Sequence, residues 1–313
     1  MKLVAAFFRL IRWPNLLFIV ITQLLFEYCI YERVYPEIVG VDITEELRFI
    51  ALIIASVFIA AAGYIINDYF DHNIDQINKP DKVVVNTIIS RRWVIFWHML
   101  LSLLGLYLTA YALPLNKYWH LVLGNMASIV ALWLYSTTFK KKLLIGNVII
   151  SLLTAWVIIV LFFSKYPLSE DLINANLHQR VRFFRLMIVY ASFAFIISLI
   201  REVVKDMEDI AGDQKYGCTT MPIVWGINAS KVFVAVWTIV LIAALIILQL
   251  YVVGMGWWLS ALYCIALIVF PLFIVLKKLY NAKQPADYHL ISSLIKLIMF
   301  TGILSMLFFR YYQ

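Results

Sequence analysis

The sequence predicts an all-α, polytopic membrane helix bundle. Three observations carry this expectation. Of the residues, 64% are hydrophobic and only 14% are charged. The mean hydropathy is +0.90. Nine segments approach the length of about 20 mainly apolar residues that a bilayer-spanning helix needs. Soluble domains carry roughly 25% charged residues, so a soluble enzyme or a nucleic-acid binder is excluded. Disorder is excluded because low hydrophobicity and high charge are both missing. Period-two alternation is absent, which argues against a membrane β-barrel.

The chain begins with a short amphipathic stretch bearing Lys2, Arg9 and Arg12. No small-residue cleavage site follows it, so it is expected to lead into the first span rather than to be removed. Span one covers 14–30, with Glu27 near its end, and span two covers 48–66. Span three covers 93–113 and contains His98 near one end; span four covers 118–136 and closes on Tyr135-Ser136 before the lysines 140–142. Spans five and six cover 146–163 and 184–201. The apolar stretch 231–276 divides at Gly254-Met255-Gly256 into spans seven (231–253) and eight (256–276). Span nine covers 291–309, with Lys296 one turn inside it and expected to snorkel. No Gly/Ser linker interrupts the chain, so residues 1–313 read as one domain. Cys29, Cys218 and Cys264 are isolated from one another and suggest neither a disulfide framework nor a zinc site.

Charge sets the orientation. With nine spans, 17 Lys and Arg fall on the side of the N-terminus and 8 on the other. The positive-inside bias therefore expects a cytoplasmic N-terminus, in the plasma membrane if the source is prokaryotic. The long connections 67–92 and 202–230 fall on that same side, while the polar loops 31–47 and 164–183 face outward.

The chemistry is expected in two acidic runs. Asn67-Asp68-Tyr69-Phe70-Asp71-His72-Asn73-Ile74-Asp75 follows span two, and Lys205-Asp206-Met207-Glu208-Asp209-Ile210-Ala211-Gly212-Asp213 follows span six. Both read D-x-x-D-x-x-x-D. Steps of three and four keep side chains on one helix face, so each run presents three carboxylates as a stripe. Crowded like charges repel unless a cation neutralises them. The donors are hard oxygens without a Cys or His partner, which suits Mg²⁺. Mg²⁺ bound by few carboxylates completes its shell with waters and substrate phosphates, so a diphosphate is the expected partner. Lys140, Lys141, Lys142, Arg201, Lys205 and Lys215 lie near the same membrane face and offer counter-charge. Metal and cations would stabilise a diphosphate leaving group. A dry bundle interior would keep water from an allylic carbocation, to which Tyr64, Tyr69, Tyr135 and Tyr190 could offer π faces.

At these residues the sequence resembles the UbiA superfamily of intramembrane prenyltransferases. The shared landmarks are Arg12-Trp13-Pro14-Asn15, the 67–75 run, Ile77-Asn78-Lys79-Pro80-Asp81, Leu134-Tyr135-Ser136 with Lys140-Lys141, Ile145-Gly146-Asn147, Arg201 through Asp213, and Pro222-Ile223-Val224. The resemblance implies nine helices around a central cavity. It implies catalytic Asp71, Asp75, Asp209 and Asp213, and metal ligation by those four with Asn67. Diphosphate binding would involve Asn67, Asp68, Tyr135, Lys140, Lys141, Arg201, Lys205 and Asp206. It further implies Mg²⁺ as cofactor, an isoprenyl diphosphate donor, a lipid-soluble acceptor and membrane lipids as partners, and no nucleic acid.

The K-D-x-E-D-x-x-G-D run is similar to the branch that transfers geranylgeranyl to geranylgeranylglyceryl phosphate. Two departures bear on the acceptor: Val83-Val84-Val85-Asn86-Thr87 stands where family members often have P-x-P-x-G, and Gly217 is followed by Cys218-Thr219 rather than by a basic residue. A quinone-type aromatic prenyltransferase is the nearest alternative. A cation or lipid-phosphate transporter is the alternative of another class. Clustering of the acids on one side, rather than at the bilayer midplane, disfavours transport. A non-catalytic scaffold leaves the duplicated carboxylates unexplained.

Overall fold

A computed structural model describes residues 2–36, 43–166 and 177–312. The expected loops 31–47 and 164–183 therefore lie partly outside the described residues. Among these residues, nine helices are long and apolar enough to cross a bilayer: α1 (Trp13–Val34), α2 (Ile43–Asn78), α3 (Arg91–Ala112), α4 (Leu115–Thr137), α5 (Ile145–Ser164), α6 (Leu177–Glu208), α7 (Ile227–Gly254), α8 (Trp258–Asn281) and α9 (Pro285–Tyr312). The chain is an all-α, multi-pass integral membrane protein. The expected amphipathic lead-in is the helix Lys2–Leu10, which buries Ala6 and Leu10.

Two boundaries differ from expectation in a way that matters. Connections were expected from residues 67 and 202, yet α2 runs on to Asn78 and α6 to Glu208. Burial of Asn67, Asp71 and Ile74, spaced by four and three residues, keeps one face of α2 packed through the acidic run, so the helix outlasts its apolar segment. It stops at Lys79-Pro80, where the proline disfavours helical backbone in the residue before it. The Lys79 N–H closes the last turn on the Asp75 carbonyl at 2.8 Å.

The chain forms two compact units, the first comprising Met1–Leu24, Val34–Lys140 and Trp156–Met187, and the second the remainder. In the first unit α2 packs along α3 and against α4. Small residues permit the approach: a Cβ on Gly63 would stand 2.8 Å from a Leu132 methyl, and one on Gly105 would stand 2.9 Å from Ile59. A buried polar knot ties the same helices to α5. Asn125 donates to Thr109 Oγ1 at 3.0 Å and accepts from the Trp156 indole at 2.8 Å. His98 likewise has a structural partner, the Ala62 carbonyl at 3.0 Å.

In the second unit Ile197, Ile200 and Val204 of α6 share a core with Leu241 of α7, Leu272 of α8, and Ile291, Ile295 and Ile298 of α9. Three contacts set α6 and α9 antiparallel: Tyr190 to Ser305 at 3.1 Å, Phe193 over Gly302, and Glu208 to His289 at 2.9 Å. In α8 a π-helical turn (Ile265–Val269) precedes Pro271, which has no N–H to give back to the Leu267 carbonyl. Thr301 of α9 donates to that carbonyl at 3.0 Å instead.

A Cβ at Gly124 would stand 2.5 Å from the Trp156 ring, whereas one at Gly254 would meet nothing within 4 Å. Gly124→Ala should therefore destabilise the protein by about 1–3 kcal/mol through overpacking against a rigid ring. Gly254→Ala should stay within about 0.5 kcal/mol of the parent or above it. Melting in detergent micelles checks both, and equal melting of the two variants would contradict the packing account.

Candidate active site

The first acidic run lies on the last turns of α2. Carbonyls at a helix C-terminus carry partial negative charge, so carboxylates there are doubly unfavourable without cations. The fold supplies two. Arg12 donates to Asp68 Oδ1 at 2.7 Å and lies over the Tyr64 ring, 5.2 Å from its centroid. Its backbone turns through φ = +51° between the lead-in helix and α1. A non-glycine residue resists that left-handed region, so the backbone is strained at the residue whose side chain reaches Asp68.

Lys140, in the turn after α4, donates to Asp71 Oδ2. Burial pushes the Lys140 ammonium toward neutrality, but Asp71, Tyr135 and Asp75 together more than reverse this and hold its pKa above the ordinary value. Tyr135 and Asp75 lie within electrostatic reach of the same ammonium. The Asn67 amide also donates to Asp71 Oδ2, at 2.7 Å. That leaves Asn67 Oδ1 buried and without a hydrogen-bond partner. Asp75 is half-buried and senses Asp71, Asp68, Lys140 and Lys79.

The second run differs although its spacing is the same. It was expected to form one continuous stripe, but α6 breaks at Asp209 (φ −96°, ψ 7°) and a short helix, Ile210–Lys215, follows. The Asp213 N–H still reaches the Asp209 carbonyl at 3.2 Å, so the break is a kink. The short helix ends at Gly217, whose φ of +70° suits glycine. Asp206 accepts from the Asn147 amide at 2.8 Å, with Glu202, Asp213 and Lys205 in its surroundings. Asp213 is 5% exposed. Glu202 accepts from Arg201 at 3.1 Å and from Lys205 at 3.0 Å.

The other expected residues fare unevenly. Lys141 is exposed, and its carbonyl receives the Thr219 N–H at 2.7 Å. Lys215 is exposed. Among the candidate tyrosines, Tyr64 carries Arg12, Tyr69 faces Arg91 at 5.5 Å, and Tyr190 is hydrogen-bonded to Ser305. Four residues enter that sequence reasoning did not assign to the site: Arg12, Asn147, Glu202 and Lys296. Arg12, Asn147 and Glu202 stood among the family landmarks, which was the available signal. Lys296, expected to snorkel, has Arg201 and Lys205 in its electrostatic surroundings.

The donor set suits a divalent cation. It offers an unpartnered amide oxygen beside buried carboxylate oxygens, all hard ligands. Among the described residues no three His, Cys, Asp or Glu side chains converge as a ready-made cage. Mg²⁺ does not need one, since it commonly takes one or two carboxylates with phosphate oxygens and water.

Comparison with known proteins gives a consistent result. The profile of the UbiA prenyltransferase family matches residues 38–301. A digeranylgeranylglyceryl phosphate synthase of Methanothermobacter thermautotrophicus is 36% identical over 71% of this chain and 70% of its own length. That of Thermococcus kodakarensis is 27% identical over 84% and 86%. Among solved structures, a digeranylgeranylglyceryl phosphate synthase aligns with TM-score 0.58 at 24% identity, covering 98% of each chain. A UbiA homologue from Archaeoglobus fulgidus bound to DMAPP and Mg²⁺ aligns with TM-score 0.57 at 16% identity, covering 95% of this chain and 98% of that one. At these identities the solved structures speak to the fold alone.

Removing one partner of a buried ion pair leaves the other charge uncompensated. Lys140→Met should therefore cost the metal-free protein about 3 kcal/mol or more. The double variant Lys140→Met/Asp71→Asn should recover part of that loss. Thermal melting in a chelating buffer measures both, and a Lys140→Met protein that melts with the wild type would show the pair to be without energetic weight.

Proposed function

The chain belongs to the UbiA prenyltransferase family, and from that premise we propose that it moves a geranylgeranyl group from geranylgeranyl diphosphate to a hydroxyl of geranylgeranylglyceryl phosphate within the membrane. That it is a prenyltransferase follows from the family, and the transporter alternative falls with it. The observation that carries the site reading is the Asn67–Asp71 pair: a buried carboxylate already bonded to a cation, beside an orphaned amide oxygen. Relatives named digeranylgeranylglyceryl phosphate synthase support the choice of donor and acceptor.

In this reading Asn67, Asp71, Asp75, Asp209 and Asp213 are the metal ligands. Mg²⁺ bound there supplies charge neutralisation to the departing diphosphate. Asp68, tied to Arg12, and Asp206, tied to Asn147, are supporting carboxylates whose hydrogen bonds hold the two runs in shape. Lys140 and Lys141, with Tyr135, face the donor's diphosphate, and Arg201 and Lys205 engage phosphate oxygens. The allylic C–O bond breaks with its electron pair on the diphosphate. The acceptor oxygen then bonds to the prenyl carbon, and its proton passes to the released diphosphate. The apolar spans exclude the water that would otherwise capture the carbocation. Residues 1–313 act as one catalytic domain with a cytoplasmic N-terminus, an orientation supported by the 17 to 8 charge bias.

Purified protein given geranylgeranyl diphosphate, Mg²⁺ and a panel of acceptors should form the diether phosphate, read by lipid mass spectrometry. Asp71→Ala and Asp209→Ala should each lower turnover by about 100-fold or more, since each removes charge stabilisation needed in the transition state. Chelation of the metal should abolish turnover. Prenylation of aromatic acids in place of the glycerol phosphate would move the assignment to the quinone-type branch.

A further inference from the structure

The α6–α9 register brings cations together inside the bundle. Glu208 meets His289 at 2.9 Å, and stepping seven residues back along α6 and seven forward along α9 leads to Arg201 and Lys296. Seven residues are two turns, about 10 Å, on either helix. Further along, Phe193 lies over Gly302 and Tyr190 bonds Ser305, so the register holds on both sides of this level. Ile200, Val204, Ile295 and Ile298 pack in one core around it. Arg201, Lys205 and Lys296 thus act on one another's charge.

Arg201 and Lys205 share the Glu202 carboxylate, and Lys296 of α9 lies within electrostatic reach of both cations. Ionisable groups at membrane depth are costly and mark ligand sites. Arg201 carries the clearest mark. Its Nη1 is spent on Glu202, while its Nε is buried with no hydrogen-bond partner. The Nε–Nη2 edge of a guanidinium is the planar fork that takes two oxygens of a phosphate at once.

We propose that Arg201, Lys205 and Lys296 seat the headgroup phosphate of the lipid acceptor, so that Lys296 is a specificity residue for a phosphomonoester acceptor. Their basic character and place near the acidic runs lead the sequence reading to give Arg201 and Lys205 to the donor's diphosphate. The chemistry separates the two anions. Carboxylate-rich runs meet a diphosphate only through a divalent ion. A cluster led by two ammonium groups and a guanidinium fork meets a phosphate dianion directly. A prenylated aromatic acid lacks the dianion that such a seat fits. The proposal rests on the acceptor class argued above, and its test is arranged so that the two are separable.

Lys296→Gln and Lys296→Arg are compared with wild type, using geranylgeranylglyceryl phosphate and its phosphate-free alcohol as acceptors. Loss of one charged phosphate contact should raise the KM for the phosphorylated acceptor about 10-fold or more in Lys296→Gln. The KM for geranylgeranyl diphosphate and for the alcohol should stay within about twofold, and Lys296→Arg should restore most of the phosphate preference. An unchanged acceptor KM, or a rise confined to the donor, overturns the proposal. A second arm needs no turnover: melting in chelating buffer with an alkylglycerol phosphate or the matching alkylglycerol. The phosphate should stabilise wild type and Lys296→Arg but not Lys296→Gln. Stabilisation of all three alike also overturns it. If that arm succeeds while wild type fails to prenylate geranylgeranylglyceryl phosphate, the seat stands and the reaction assignment falls.

Discussion

Asp68 and Asp71, at the end of an apolar span, are each bonded to a cation from a distant segment, Arg12 and Lys140. The rest of the first unit answers to that constraint. Arg12 is 56 residues from its partner and Lys140 is 69. Each pair therefore pins a distant segment to the end of α2. The segment before α1 bends through an unfavourable backbone angle to deliver Arg12, and the turn after α4 is drawn in to deliver Lys140. An unpaired buried charge costs far more than a strained dihedral, which is why the strain persists.

The two acidic runs share a spacing but not an environment. On α2 the carboxylates are met by full charges. On α6 Asp206 is met by a neutral amide, and the backbone kinks at Asp209. A cation-paired carboxylate must exchange one positive partner for another when a divalent ion arrives, whereas the amide-held Asp206 has a neutral hydrogen-bond partner. The runs are consequently unequal contributors, with Asp71 the more tightly governed.

Packing and chemistry in the second unit come from one register. Glycine at 302 lets Phe193 sit down on α9, isoleucines fill the seam, and Glu208 closes it against His289. The same alignment brings Lys296 within electrostatic reach of Arg201 and Lys205. A side chain that hydropathy reads as an interfacial anchor becomes part of a charged cluster, since its direction is decided by which helix lies opposite.

The number and approximate place of the spans, and the acidic runs themselves, were legible in the sequence. Both are local: bilayer thickness sets the length of an apolar segment, and helical pitch sets which residues share a face. The amide donors at 67 and 147, and the arginine at 12, were visible as residues but not as partners. Partnership needed the tertiary structure, as did the persistence of α2 and α6 beyond their apolar segments and the kink that broke the second stripe. Ion pairs and helix register join residues tens of positions apart. Their geometry is set by how side chains of many helices pack at once, which no local pattern encodes.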